Sequence, residues 1–202
     1  IYRLTDDNEL VIDYEATTDK KTVVCLTHHA YFNLNGTKRE PDTVLNYDMT
    51  INADHYIPID PTAIPLGSID KVAGTPFDFR TPRKIGERIE EGIQTKNGNG
   101  YDHCWVLNKR EPGELSFAVK CVDPVSGRTL ECYTTEPGVQ CYTGNYCNGS
   151  TCAHGSKLHK RCAVCFEAEH FPDSPNHPYF PSTVLNPGEV YTQTTVYRFG
   201  VE

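Results

Sequence analysis

Nine short segments rich in Val, Ile, Thr, Tyr and Phe, each closed off by Gly, Pro, Asn or Asp, constrain this chain more than any other feature. They are 9–18 (ELVIDYEATT), 22–32 (TVVCLTHHAYF), 43–53 (TVLNYDMTINA), 103–108 (HCWVLN), 114–123 (ELSFAVKCVD), 128–136 (RTLECYTTE), 139–144 (VQCYTG), 162–171 (CAVCFEAEHF) and 189–199 (EVYTQTTVYRF). β-Branched and aromatic side chains lose rotamer freedom in a helix and fit a pleated, half-buried surface, so each segment predicts a strand. The 14 prolines and 15 glycines fall mainly between them, as in IDPTAIPLG, EPGEL, VDPVSGR and FPDSPNHPYFP, which sets short turns and a few long loops. Only RKIGERIEEGI offers helical spacing, with Ile85, Ile89 and Ile93 four apart, and Gly86 and Gly92 weaken it. The expectation is an all-β chain folded as a large antiparallel β-sandwich with one short helix. No repeat, low-complexity stretch or linker divides it, and 202 residues suffice for one sizeable core, so residues 1–202 read as a single domain.

A formal charge of −8, with no block of Lys or Arg, argues against a nucleic acid or other polyanion as partner. No apolar run approaches the ~20 residues of a membrane span, and the N-terminus lacks the pattern of a signal peptide, so a soluble domain with no membrane partner is expected. The chain opens at Ile1 without an initiator Met, which reads as a fragment or trimmed form. Nine cysteines, an odd number spread along the chain, read as mostly reduced thiols rather than a disulfide framework, and this favours the cytoplasm. The Asn-x-Ser/Thr triplets at Asn35 and Asn148 are the argument for secretion.

Polar residues interrupt the apolar pattern in four places: His28-His29, GYDH (100–103), TTEPGVQCYTGN (134–145) and Glu167 within CAVCFEAEHFPDS. Singly, each has a plain structural reading: His29 as a hydrogen-bonded core histidine, Asp102 as a turn residue, Gln140 as a solvent-facing strand residue, Glu167 as the polar member of an alternating strand. Together they supply an imidazole, two carboxylates and an amide, the equipment of a small polar pocket doing acid–base chemistry. Neighbours on a strand point to opposite faces, so His28 and His29 cannot both address one site.

In order along the chain, TVVCLTHHAYFNLNG, INADHYIPID…IPLGSIDKVAGTPFDFR, GYDHCWVLN, TTEPGVQCYTGN and FEAEHFPDSPNHPYFPSTVLNPGEVYTQTTVYRF resemble the aldose 1-epimerase (galactose mutarotase) family. The likeness runs nearly from Ile1 to the end and covers roughly the C-terminal three-fifths of a typical member. It implies a β-sandwich with an open sugar cleft, interconversion of the α and β anomers of free aldoses such as galactose and glucose, and no cofactor or metal. The implied protein is a monomer or weak homodimer in which an upstream half supplies the opening strands, an Arg and another His. Residue by residue, the family's catalytic histidine falls on His29 and its catalytic glutamate on Glu167, while the sugar-holding aspartate and glutamine fall on Asp102 and Gln140. His28 stands where the family usually has Asn and is expected to be structural. Tyr31, two residues beyond His29, is expected to line the cleft if the strand continues.

Anomer exchange explains these residue types. A base takes the C1 hydroxyl proton while an acid protonates the ring oxygen; the opened C1 turns and the ring recloses on its other face. A histidine of reference pKa ~6.5 suits the acid, and a glutamate of reference pKa ~4.3 serves as base once burial raises it. Glu167 is therefore expected to be shielded, with a carboxylate beside His29. Where relatives commonly carry Asn, Phe, Thr and Gln, this chain has Cys25, Cys141, Ala168 and Glu169; Glu169 shares a strand face with Glu167 and should raise the pair's pKa values. Three rival readings stand beside this one. The Cys- and His-dense stretch 141–165 suggests a metal site but lacks zinc-ribbon or finger spacing. A non-catalytic carbohydrate-binding sandwich would not need a matched acid and base. A sugar-phosphate relative would want a basic cradle.

Overall fold

The computed structural model describes residues 1–36, 43–151, 155 and 157–202. Among them, in chain order, are β1 (Tyr2–Leu4), β2 (Glu9–Ala16), β3 (Thr22–Val23), β4 (Asp48–Ile51), β5 (Ala53–Ile57), β6 (Asp70–Lys71), β7 (Arg83–Lys84), helix α1 (Gly92–Asn97), β8 (Asp102–Leu107), β9 (Ser116–Val122), β10 (Arg128–Thr134), β11 (Gly138–Tyr142), β12 (Ser150–Thr151), β13 (Lys157–Leu158), β14 (Cys165–Glu169), β15 (Val184–Leu185) and β16 (Tyr191–Val201). A seven-stranded sheet runs β1-β2-β16-β10-β9-β4-β7 and a five-stranded sheet runs β14-β11-β8-β5-β6, every pairing antiparallel; β12-β13 and β15-β3 form small pairs. No helix among the described residues is long and apolar enough to cross a membrane.

The core lies between the two large sheets, where period-2 alternation sends Ile12, Met49, Cys132 and Tyr197 from one and Trp105, Val139, Cys141 and Phe166 from the other. The Cys141 thiol reaches Met49 Sδ at 3.9 Å across this layer, and the buried Tyr197 hydroxyl donates to the Phe166 carbonyl at 2.6 Å, tying sheet to sheet. Trp105, fully buried, places its indole N–H on the Phe77 carbonyl at 3.0 Å, so its polar edge enters the core satisfied.

Three expectations are corrected. The segment 43–53 is not one strand: β4 belongs to the seven-stranded sheet and β5, which extends to Ile57, to the other. Asn52 marks the crossing, its backbone N–H bonded to Ala118 and its side-chain amide to the Phe117 carbonyl at 3.2 Å. The helix predicted over 83–93 starts only at Gly92. Before it, the backbone N–H groups of Ile85 and Gly86 bond to Tyr47 and Leu45 rather than to the preceding turn, so Ile85 and Ile89 are buried by tertiary docking while Ile93 is 67% exposed. The strand predicted over 22–32 is reduced to β3 and a single bridge between Phe32 and Val164. Between them the chain lies along the edge of β14 through the Thr27 hydroxyl on Ala168 and the Cys25 thiol on the His170 carbonyl, without a ladder.

Among the described residues, Cys25, Cys104, Cys121, Cys132, Cys141, Cys147 and Cys165 are free thiols, five of them buried. Within 141–165, Cys152 and His154 lie outside the described residues; Cys141 points between the sheets and His159 is exposed, so these do not gather round one ion. Asn35 is buried, with its backbone N–H on the Tyr47 hydroxyl, which disfavours it as a glycan acceptor, whereas Asn148 is exposed.

Candidate active site

The outer face of the five-stranded sheet follows from alternation and register together. With Trp105, Val139, Cys141 and Phe166 turned to the core, the intervening residues of β8, β11 and β14 face out. Pairing aligns them in three rows: Cys165, Tyr142 and Asp102; then Glu167, Gln140 and Cys104; then Glu169, Gly138 and Val106. Gln140 occupies the middle of this three-by-three array. In the third row, a Cβ on Gly138 would lie 2.7 Å from Cys104 Sγ and 3.0 Å from Phe171, so the missing side chain lets Phe171 pack down. Phe171 and Phe180 cover Cys104, Ile57 and Val106 as a small apolar cluster, which closes that side of the face and leaves the carboxylate side polar.

His29 reaches this face from the segment bordering β14. Its Nε2 lies 3.4 Å from Glu167 Oε1, with the imidazole side chain 49% exposed and the carboxylate 9%. Tyr31 stacks on the imidazole at 5.0 Å and 15°, and Tyr142 meets both rings edge-on. His28 turns the other way, against Tyr197 and Tyr2 at 5.6 and 6.0 Å; burial lowers its pKa, and its Nδ1 is buried without a partner. Two adjacent histidines thus serve opposite sides of one segment even where it is not a regular strand.

Gln140 Nε2 donates to Asp102 Oδ1 at 2.9 Å, leaving Gln140 Oε1 buried and unpartnered. Burial raises the Asp102 pKa against the lowering pull of that bond and of His29. Asp102 is held from below. Its backbone N–H donates to Nδ1 of the buried His103 at 3.1 Å, and His103 Nε2, which then carries the proton, faces Gln94 Oε1 at 3.3 Å. Burial drops the His103 pKa to about 3, so this imidazole is a neutral support. Gly100, at φ +132°, precedes it where a Cβ would collide with the Arg161 guanidinium, itself bonded to the Asn99 carbonyl at 2.7 Å. Asp102 and Gln140 also wall a cavity of about 70 Å³ with Ile57, Ile59 and Pro172. A larger cavity of about 560 Å³ opens beyond the third row, beside Glu136 and His170, and includes none of His29, Asp102, Gln140 or Glu167. Size alone does not mark the place where His29, Asp102, Gln140 and Glu167 converge, and of these only Asp102 and Gln140 border the smaller cavity.

Three carboxyl groups crowd the array. Glu167 is pushed up to about 8, first by burial and then by Glu169 and Asp102, and Glu169 to about 7, by burial and then by Glu136 and Asp102. A carboxyl poised near neutrality beside an imidazole is competent to take and return protons. The structure therefore brings together His29, Tyr31, Asp102, Gln140 and Glu167, which the sequence nominated, and adds Tyr142, Cys165 and the supporting His103. Tyr142 and Cys165 were findable, since each lies two residues from a nominated residue on the same strand.

The family model described as aldose 1-epimerase matches residues 1–198. The chain is 41% identical to galactose mutarotase of Rattus norvegicus over 197 residues, 97% of this chain and 55% of that protein. It is 38% identical to aldose 1-epimerase of Escherichia coli (strain K12) over 203 residues, 100% of this chain and 58% of that protein. Among solved structures it superposes on an aldose epimerase homologue from C. elegans with a TM-score of 0.85 and 29% identity, over 99% of this chain and 58% of that one. For galactose 1-epimerase from Lactobacillus acidophilus NCFM the TM-score is 0.83 at 29% identity, over 99% and 55% of the two chains. The chain spans about half the length of the curated relatives it matches.

Proposed function

The chain belongs to the aldose 1-epimerase family, and from that premise we propose that its outer-face array interconverts the α and β anomers of free aldoses, galactose and glucose among them, within a single domain acting without a cofactor. The observation that carries the reading is the 3.4 Å approach of His29 to Glu167 on a face that also holds the Asp102–Gln140 pair. In the reaction, ionised Glu167 takes the C1 hydroxyl proton while protonated His29 gives its proton to the ring oxygen. The C1–O5 bond breaks, C1 turns about C1–C2, and reclosure returns both protons. Raising the Glu167 pKa to about 8 makes its carboxylate a stronger base than an ordinary glutamate. Asp102 and Gln140 orient vicinal hydroxyls, with Gln140 Oε1 still lacking a donor and a sugar hydroxyl able to supply one. Tyr31 contributes a ring to the wall of the cleft.

A sugar-phosphate substrate fits less well, because Asp102, Glu167 and Glu169 would repel a phosphate. A binding module fits less well because binding gives no reason to hold a proton donor and acceptor 3.4 Å apart. Polarimetry of freshly dissolved α-galactose and α-glucose, with the chain and its Glu167→Gln variant, tests the proposal. Acceleration lost in the variant supports it; undiminished acceleration by the variant excludes this role for Glu167.

A further inference from the structure

The first row of the array contains a group the mechanism does not use. Cys165 lies two residues before Glu167 on β14, so both project from the same face, and it is fully buried opposite Tyr142 in the ladder. His29 Nε2, Cys165 Sγ and a Glu167 carboxylate oxygen all fall within 4.8 Å of one another. We propose that these three atoms form a binding site for a thiophilic divalent cation of the Zn²⁺ class, and that its occupation blocks the acid–base pair.

The geometry is close to what such an ion requires. With Zn–N and Zn–O near 2.0–2.2 Å and Zn–S near 2.3 Å, a tetrahedral site has ligand–ligand edges of roughly 3.3–3.6 Å. The Nε2–Oε1 edge is already 3.4 Å, and the sulfur, within 4.8 Å of both, has at most about 1.5 Å to close to complete a three-ligand face. Imidazole, thiolate and carboxylate together suit a borderline-soft ion and disfavour Mg²⁺ or Ca²⁺, which take oxygen shells. The surroundings favour positive charge, since the Asp102 and Glu169 carboxyl groups lie near enough to Glu167 to raise its pKa. Cys165 and Glu167 are fixed by the β14–β11 ladder, while His29 arrives from the bordering segment, so binding would clamp that segment to the sheet edge. Three protein ligands leave a fourth position for water or a sugar hydroxyl.

Binding exchanges protons for the ion. The Cys165 thiol releases its proton, Glu167 releases its own where protonated, and His29 presents a neutral Nε2 lone pair. Nε2 then carries the ion in place of the proton meant for the ring oxygen, and the Glu167 carboxylate, its charge shared with the ion, is a weaker base toward the C1 hydroxyl. This blocking consequence rests on the proposed anomerase reading; the site itself does not.

Titration of the metal-free chain with Co²⁺, a coloured stand-in for Zn²⁺, reads the site independently of turnover. The expected result is a thiolate-to-cobalt charge-transfer band that saturates at one equivalent and is displaced by Zn²⁺. It should vanish in Cys165→Ser, weaken at least about tenfold in His29→Ala and persist in Cys147→Ser, which removes a neighbouring thiol. A band that survives in Cys165→Ser, or no band in the folded wild-type chain, overturns the proposal. Polarimetry before and after metal addition separates the two claims: a chain that binds Co²⁺ but does not accelerate mutarotation even when metal-free refutes the anomerase reading and leaves the metal site standing, whereas a chain active when metal-free that Zn²⁺ at saturation fails to inhibit refutes the blocking role.

Discussion

Among the described residues, two histidine–glutamate pairs lie next to the same strand, and they are built differently. His170 and Glu136, at the ends of β14 and β10, are in close hydrogen-bonded contact, with the carboxylate 3% and the imidazole 23% exposed. His29 and Glu167 stand 3.4 Å apart, beyond the usual N–H···O range, with the imidazole half in solvent. In the first pair each group satisfies the other. In the second the carboxylate is pressed by Glu169 and Asp102 and left with an incomplete partner, a cost tolerable only where another molecule completes it. The same two residue types thus make a structural tie in one place and the proposed proton-transfer pair in the other, and spacing distinguishes them.

The sharpest way to break this contrast is to remove the acid or base from each pair. Glu167→Gln and His29→Ala should each lower the catalysed mutarotation rate by ~10²–10⁴-fold in polarimetry, while Glu136→Gln should leave it nearly unchanged. Equal losses at Glu136 and Glu167 would erase the distinction.

Next in size is the pH dependence of the loose pair. The proposed mechanism needs Glu167 ionised and His29 protonated together, so the pH–rate profile should be bell-shaped, rising as the Glu167 carboxyl near 8 ionises. Because Glu169 is the largest charge holding it up, Glu169→Gln should move that rise to lower pH. Stability runs in the opposite direction. The folded pKa values of Glu167 and Glu169, about 8 and about 7, exceed the ordinary 4.5, so the folded state holds protons that the unfolded chain releases. That contribution is fully present below about 4.5 and is lost as pH rises through about 7 and about 8, so chemical denaturation should show stability falling by on the order of a few kcal/mol across this window. Glu167→Gln should flatten the slope.

The tight pair predicts a smaller effect on stability. Glu136→Gln leaves His170 facing a weaker acceptor and should cost ~1–3 kcal/mol in denaturant unfolding at pH 7. Smallest is Asp102→Asn, expected to raise the KM for aldose about tenfold, near 1.4 kcal/mol, with kcat little altered.

Much of this site was legible in the sequence because strand parity is legible: Asp102, Gln140 and Glu167 each interrupt an apolar run, and the resemblance named their order. What parity cannot supply is register between strands. That Gln140 lies opposite Glu167, and Tyr142 opposite Asp102, depends on where β11 pairs with β8 and β14. The Glu136–His170 tie escaped for the same reason, since its members lie 34 residues apart at the ends of two strands. Local pattern also misled. Ile85, Ile89 and Ile93 imitate a helical face, but backbone bonds to Tyr47 and Leu45 take that stretch into turns. The apolar run 43–53 gives no sign that it changes sheets at Asn52.

The bordering segment that carries His29 has one more consequence. Glu167 is locked into a hydrogen-bonded ladder on β14, whereas His29 rides on a strap anchored by the Val24–Thr183 bond at one end and the Phe32–Val164 bridge at the other. The proposed acid and base therefore belong to units of unequal local stability. On warming, the strap is expected to lift before the sheet melts, so that the proposed mutarotase activity is lost while the β-sheet spectrum persists. Amide exchange in 24–31 reports the readiness of the site, whereas exchange in β11 and β14 reports the survival of the fold.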